Sequence, residues 1–403
     1  MVIGIIGAGA SGMAAAIAAA DNPNVQVLVF ERQARVGRKL QATGNGRCNL
    51  SNRNCSVAHY HGENPAFAQY ALESFDVQHT LQWFAQLGLY TVTESSGKIY
   101  PYSDQANSVV DILRFAMEKV NIRLITGCEI QKIRVSDSGF QLSDGENFWN
   151  CDKLIVACGG LAGTKLGGSM SGYKLLNKLG HRSTKLRPSL VQLKCAWGGV
   201  EALKGVRANC HVQIFCGDRL HAESTGELQF TQYGLSGPVI FETSRDVCSA
   251  KDTWVAKLDF LPDISESELM QMLHRRVKLS LPVDEFLTGI LHNRLGRVLS
   301  KAAGILGCNC GSLSREQLQS VVRCVKAFEI PLTEPMGMDS AQVTAGGVDT
   351  LMFDPQTMES KLIPGLYVCG ELLDVDGDCG GYNLQWAWSS GHLAGISAGK
   401  EIT

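Results

Sequence analysis

No apolar run in this 403-residue chain approaches the roughly 20 residues that a helix needs to cross a bilayer. No C-x-x-C pair occurs either, although cysteines number 14. The closest two, Cys308 and Cys310, lack a partner pair at zinc-ribbon spacing, so we expect no structural metal and read most cysteines as reduced, small core residues. H-E-x-x-H and P-loop patterns are missing too. Net charge is scarce: 37 Lys and Arg against 39 Asp and Glu leave −2, which excludes a global field recruiting nucleic acid or an anionic membrane. The opening MVIGIIGAGA has neither the charged n-region nor the cleavage site of a signal peptide. These absences lead us to expect a cytoplasmic protein with no membrane association. With 45% hydrophobic and 19% charged residues, the chain can bury the cores of two or three domains.

What is present lies at the two ends. A short apolar run, Val2 to Ile6, leads into Gly7-Ala8-Gly9-Ala10-Ser11-Gly12 and then an alanine-rich helix former. In such a G-x-G-x-x-G, Gly7 permits the tight turn, Gly9 lets a pyrophosphate approach, and Gly12 lets helix pack on strand. The helix then offers the phosphates free N–H groups and a positive dipole end, with Ala10 and Ser11 in its first turn. A second strand, Val25 to Phe30, ends at Glu31, 19 residues past Gly12, where an acid accepts hydrogen bonds from a ribose hydroxyl. Glu31 suits NAD or the adenosine half of FAD equally. A basic loop follows, with Arg32, Arg35, Arg38, Lys39 and Arg47 among small residues, suited to a pyrophosphate or an anionic substrate. At the other end, the strand Leu366 to Cys369 runs into Gly370-Glu371, and Gly380-Gly381-Tyr382-Asn383 opens a final helix. There Glu371 would bind a ribityl hydroxyl, and the helix N-terminus would face the pyrimidine edge of an isoalloxazine.

Between these ends the pattern changes twice. Ala106 to Val120 reads as a helix, Ile122 to Val135 as strands, and Lys153 to Ala157 as a buried strand ending in Cys158-Gly159-Gly160. From about Leu190 short alternating strands suggest an antiparallel sheet or barrel. From Ser265 the pattern is helical, with capping boxes at Ser265/Glu268 and Ser314/Gln317. We therefore expect a discontinuous cofactor domain, 1–187 plus 332–403, interrupted by a β-rich unit, 188–262, and a helical unit, 263–331. Asp374-Val375-Asp376-Gly377-Asp378 imitates a calcium loop but has Cys379 at position six and Gln385 at position twelve. The histidines show no clustering beyond His59 and His61, and Cys48 with Cys55 lacks the spacing of a flavin disulfide reductase dithiol.

The strings GRKLQATGNGRCNLSN (37–52), GKIYPYSDQANSVVDIL (97–113), GELQFTQYGLSGP (226–238) and AQVTAGGV (341–348), with CGGYNLQWAWSSG near the end, resemble the YhiN-like flavoproteins, also called aminoacetone-oxidase-like or BaiN-like FAD-binding proteins. The resemblance covers essentially the whole chain. It implies an α/β fold: a glutathione-reductase-type, FAD/NAD(P)-binding Rossmann-like domain with an inserted antiparallel, barrel-like β unit and a small helical unit. More distantly the chain resembles the flavin domains of fumarate reductases and ketosteroid dehydrogenases, which act on carbon–carbon double bonds. Carried over residue by residue, Gly7, Gly9, Gly12, Glu31, Arg38 and Lys39 fall on the adenosine and pyrophosphate side of FAD; Asn45, Gly46, Gly370, Glu371, Asn383 and Leu384 fall on the flavin side. Ala10, Ser11, Arg32, Ile130, Ala157 and Gly159 complete the expected cofactor set. The chain departs from the family at Gln232, where F-T-H is usual, and after Gly160, where LAGTKLGGSMSGY replaces a Y-P-K-T-G-S-like run.

The chemistry so implied is hydride transfer through flavin N5, to or from a C=C or C–N bond of a small organic substrate. No second G-x-G-x-x-G follows a strand in the middle, so NAD(P)H is expected only as a transient co-substrate docking directly against the flavin; otherwise the organic substrate is itself the donor, and oxygen or an electron-transfer partner protein is the acceptor. Catalytic candidates are Tyr233, Thr231 and Arg47, with Ser236 and Thr344 nearby in the pattern, although Ser236 can equally cap the helix opened by Gly237-Pro238. A different class remains open: a flavin-dependent tRNA- or other nucleic-acid-modifying enzyme using Arg275, Arg276, Lys278, Arg294 and Arg297, or a flavin sensor without turnover.

Overall fold

The computed structural model describes residues 1–119, 122–245, 247, 253–279 and 281–400; the helix expected to end at Val120 therefore has its last residue outside the described set. The chain divides into two compact units, Met1–Arg187 with Gln342–Thr403, and Pro188–Ala341.

The first unit is built on a parallel sheet. Its strands are β1 (Val2–Ile6), β2 (Gln26–Glu31), β3 (Ile122–Thr126), β4 (Lys153–Val156) and β5 (Leu366–Val368), in spatial order β5-β4-β1-β2-β3. β1 and, after Lys153, β4 read as apolar runs because a central parallel strand is covered on both faces. Helix α1 (Ala10–Ala19) follows β1, and α2 (Tyr382–Gly399) ends the unit. These two pack with backbone almost touching. A Cβ on Gly391 would lie 2.3 Å from the Ser11 carbonyl, and one on Gly395 would lie 2.3 Å from that of Ala15. Alanines on α1 and glycines at four-residue spacing on α2 are what make this approach possible. It brings the two glycine-rich ends of the chain into one place.

The second unit is a closed antiparallel barrel of six strands among the described residues, in the order Leu193–Cys195, Gly234–Ser236, Arg219–Phe230, Arg207–Cys216, Trp254–Asp259, Phe328–Pro335. Helices Glu266–Val277, Asn293–Ala302 and Arg315–Lys326 share one apolar core with it, where Leu269, Leu299 and Val321 meet Val212, Phe230 and Leu258. Both capping boxes form as the sequence indicates. Lys326 fixes the last helix to the barrel through Asp259 at 2.7 Å. The boundary expected at 331/332 needs correction, because it cuts the strand Phe328–Pro335 that closes the barrel; the unit runs on to Ala341.

Candidate functional site

The turn after β1 has the geometry that its three glycines suggest. Gly7 holds φ +107°, and a Cβ there would meet the Ala157 carbonyl at 2.4 Å. On Gly12 a Cβ would fall 1.9 Å from the Gly7 carbonyl. Around Gly9 nothing lies within 4 Å of the same point, so this glycine is required by no protein neighbour. The first turn of α1 receives no side-chain cap, although Ser11 and Ala10 are there. An open approach over uncapped N–H groups fits a pyrophosphate.

Glu31 ends β2 with its carboxylate oriented by two backbone donors, Ala8 N–H at 2.9 Å and Gln33 N–H at 2.8 Å. Arg32 donates to the Gly167 carbonyl at 2.6 Å, and Arg38, on the surface, donates to Gln33 at 3.1 Å. Ile130 is buried in the core next to this strand end. Across the sheet, Ala157 follows β4 against Gly7, and Gly159 at φ +69° again faces open space.

The second glycine segment locks onto the first. A Cβ on Gly370 would strike the Ser11 hydroxyl at 2.4 Å. Its N–H donates to Ser390 at 3.0 Å, and its carbonyl accepts from the Trp386 indole at 3.1 Å. Glu371 is engaged on both oxygens: Lys39 donates to one at 2.6 Å, while the Thr344 N–H and hydroxyl donate to the other at 2.9 Å each. Thr344 in turn accepts from Ala162 N–H at 2.9 Å. Gly160 is fixed by this cluster, since a Cβ there would sit 2.4 Å from both Glu371 and Thr344. Lys39 and Glu371, drawn from opposite ends of the sequence, thus form one charge-assisted pair beside both glycine turns.

The loop after Lys39 is a run of left-handed residues, Gly44, Asn45, Gly46 and Cys48 at φ of 57°, 56°, 85° and 63°. Arg47, expected to grip an anion, is paired within the protein: it donates to Asp104 and, at 3.0 Å, to Glu94, and it lies 4.0 Å over the Tyr100 ring. Burial pushes the thiols of Cys48, Cys158 and Cys369 up to about 12, so none is a ready thiolate. Asn383 clamps the turn before α2 by accepting from Gly377 N–H at 2.8 Å and donating to the Gly377 carbonyl at 2.7 Å. Leu384 packs beside the core, and the N-terminus of α2 has no side-chain cap.

In the second unit Thr231 donates to the Gly234 carbonyl at 3.0 Å and accepts from the Gly234 N–H at 3.1 Å, a turn clamp. Tyr233 is exposed and donates to Gln192 at 2.8 Å. Gln232 accepts from Lys204 at 3.3 Å. Ser236 does not cap the following helix, whose N-cap is Gly237 without a side-chain bond; this corrects that reading of Ser236.

One cluster escaped the sequence reading. Asp378, which lies in the stretch that imitates a calcium loop, bridges His59 and His61 at 2.9 and 2.7 Å. The two histidines were visible as a pair, but their carboxylate lies more than 300 residues away and nothing local connects them.

Comparison with known proteins agrees with this architecture. The chain is 41% identical over 408 residues, 99% of each chain, to the 3-dehydro-bile acid delta(4,6)-reductase of Clostridium scindens. It is 30% identical to the ribosomal RNA dihydrouridine synthase of Escherichia coli, over 96% of this chain and 95% of that one. The synthase of the same name from Haemophilus influenzae is 29% identical over 98% of each. Among solved structures, a 3-ketosteroid delta1-dehydrogenase from Sterolibacterium denitrificans superposes with a TM-score of 0.52 at 12% identity, covering 99% of each chain, which shows the shared fold. No helix of the described residues is long and apolar enough to cross a membrane. The fold is a Rossmann-like domain of the FAD-binding type carrying a closed barrel, and, with residues 1–397 matched, the chain belongs to the family described as HI0933-like protein Rossmann domain.

Proposed function

We propose that this FAD-dependent oxidoreductase reduces a carbon–carbon double bond conjugated to a carbonyl, in a small and largely apolar substrate of the 3-keto steroid type, with NAD(P)H as the transient donor. The observation that carries the reading is the 41% identity, over 99% of both chains, to a reductase of 3-dehydro bile acids. Its more distant relatives are named for making dihydrouridine. That base differs from uridine by two hydrogens across a bond conjugated to a carbonyl, so both names describe the same bond chemistry on unlike substrates.

When bound, FAD supplies hydride transfer at N5. The chain's own residues would do the rest. Gly9 and the uncapped first turn of α1 receive the pyrophosphate, Glu31 the ribose, and Lys39, held by Glu371, places an ammonium donor beside both glycine turns. The uncapped N-terminus of α2 stabilises negative charge on the pyrimidine side. Tyr233, exposed and bonded to Gln192, is the hydroxyl we assign to the substrate carbonyl or to proton delivery.

An anaerobic titration tests this. NADH or NADPH should bleach a bound flavin band, and a 3-keto-4,6-diene bile acid should restore it. Bleaching without restoration by any conjugated enone would overturn the substrate class. Tyr233→Phe should lower turnover about 100-fold with the flavin retained. The relatives' names also motivate a ribosomal RNA substrate. Three of the five basic residues offered for phosphates are engaged within the protein, which weakens that reading: Arg276 donates to the Phe286 and Thr288 carbonyls, Arg294 to the Ala202 and Lys204 carbonyls, and Arg297 pairs with Asp284. Salt-sensitive binding of ribosomal RNA would favour it over the steroid.

A further inference from the structure

No role assigned above falls to His59, His61 or Asp378, although Asn383 donates to the Asp378 carbonyl at 3.3 Å. The Asp378 carboxylate accepts from His59 Nδ1 at 2.9 Å and from His61 Nε2 at 2.7 Å, while its own N–H donates to the His59 carbonyl at 3.0 Å. Asp376–Gly377 pairs antiparallel with Tyr60–His61. The His59 ring stacks on Tyr382, first residue of α2, with centroids 4.3 Å apart, and the Tyr60 hydroxyl donates to the Tyr382 carbonyl at 2.9 Å. Every one of these contacts ends on the segment 376–383, which carries Gly380 and Gly381 at φ of 133° and 102°. The turn is confined from the other side as well, because a Cβ on Gly381 would lie 2.3 Å from the Ser51 carbonyl. The residues that decide where α2 begins are therefore His59, His61 and Asp378 together with Asn383.

We propose that the His59–Asp378–His61 cluster is the positioning group for the N-terminus of α2, and that its charge, set by the two imidazoles, tunes the reduction potential of the flavin bound there. This rests on the FAD reading above. Burial alone would raise the Asp378 carboxyl, but the hydrogen bonds from His61 and His59 outweigh it and hold that group below the usual carboxylate range. Asp378 is thus ionised, and with both imidazoles neutral the cluster carries one negative charge, opposing the anion of a reduced flavin at the adjoining helix end. Protonating one imidazole cancels that charge, and protonating the second reverses it, adding to the positive end of the helix dipole. The three side chains are 34%, 35% and 38% exposed, enough for proton exchange with solvent. Around the cluster stand the phenols of Tyr60 and Tyr382, the thiols of Cys55 and Cys379, the carboxyl of Asp376 and the Lys98 ammonium beside Gly380.

The test uses the full chain, measuring FAD dissociation constants and flavin reduction potentials from about pH 5.5 to 8.5. In the wild type the potential should climb, as pH falls across that range, more steeply than the flavin's own proton uptake requires. The double variant H59N/H61Q, whose amide nitrogens replace Nδ1 of His59 and Nε2 of His61 as donors to Asp378, should bind FAD and lose the extra slope. Asp378→Asn should weaken FAD binding about tenfold across the range, and Asp378→Glu should recover part of it. A wild-type potential that runs parallel to that of the double variant, both with FAD bound, overturns the tuning. Unchanged FAD affinity in the Asn variant overturns the positioning. A wild type that binds no FAD at any pH overturns the cofactor reading beneath both.

Discussion

Gly9 and Gly12 stand in the same six-residue turn and should respond in opposite ways to one added methyl group. At Gly9 the space is open and φ is −81°, which alanine adopts freely, so Gly9→Ala should leave the melting temperature of the FAD-free protein unchanged while weakening FAD binding at least tenfold. At Gly12 the methyl would lie 1.9 Å from a backbone carbonyl that cannot move aside, so Gly12→Ala should destabilise the FAD-free protein itself by about 3 kcal/mol or more. Thermal melts without FAD, followed by FAD titration, separate the two, and equal melts would mean that no protein neighbour demands Gly12. A second residue-scale prediction concerns His392, stacked on Phe75 with centroids 3.9 Å apart. Burial, helped by the nearby His79, pushes its imidazole down to about 4. The unfolded chain takes up that proton near 6.5, so between about pH 6.5 and 4 it binds more protons than the folded one. Stability should therefore fall as pH drops through that window, by on the order of 3 kcal/mol from this group. His392→Phe should flatten the dependence in urea melts at pH 7 and 4.5; an unaltered slope would assign the acid sensitivity elsewhere.

At the scale of elements, the contact between α1 and α2 is the most exacting in the first unit. Replacing a mid-helix glycine by alanine ordinarily gains up to about 1 kcal/mol of helix propensity. At Gly395 the methyl would sit 2.3 Å from the Ala15 carbonyl, and pushing two helices apart costs about 1–3 kcal/mol. The net effect of Gly395→Ala should be a lower melting temperature, and a rise would mean the helices do not touch backbone to backbone. This pair also marks what was legible in the sequence. The capping boxes at Ser265 and Ser314 involve partners three residues away and could be read directly. The strand Phe328–Pro335 could not be bounded, because its partners are Leu193–Cys195 and Trp254–Asp259 and no local pattern says where the barrel closes. The same limit explains the site. Glycines requiring positive φ announce themselves, whereas the pairing of Arg47 with Glu94 and Asp104, of Lys39 with Glu371 across 332 residues, and of Asp378 with two histidines depends on the finished fold.

At the scale of the whole molecule, the order in which the two units form follows from where their contacts lie in the chain. Every strand and helix of the barrel unit comes from within 188–341, so its contacts close loops no longer than that segment. The parallel sheet is different: β5 must find β4, and α2 must find α1, although the chain between these last two runs from residue 20 to 381. Closing a loop costs about (3/2)RT ln n, and parallel pairing across long separations is intrinsically slow, since that entropy is spent before any contact offsets it. A barrel that folds first shortens the effective loop. On dilution from urea, secondary structure should therefore return in an early phase, and the capacity to bind FAD, which needs the first and last glycine turns together, should return in a later one. The assay is FAD fluorescence quenching followed beside far-ultraviolet circular dichroism in the same refolding run. Coincident single-exponential recovery of both signals would show that the two ends of the chain meet before or with the barrel, and the sequence-separation argument would fail. A chain truncated after Pro364, lacking β5 and α2 but keeping the whole barrel segment, should show the early phase alone and never acquire FAD binding, because the alanine face of α1 and the outer edge of β4 are left without the elements that cover them.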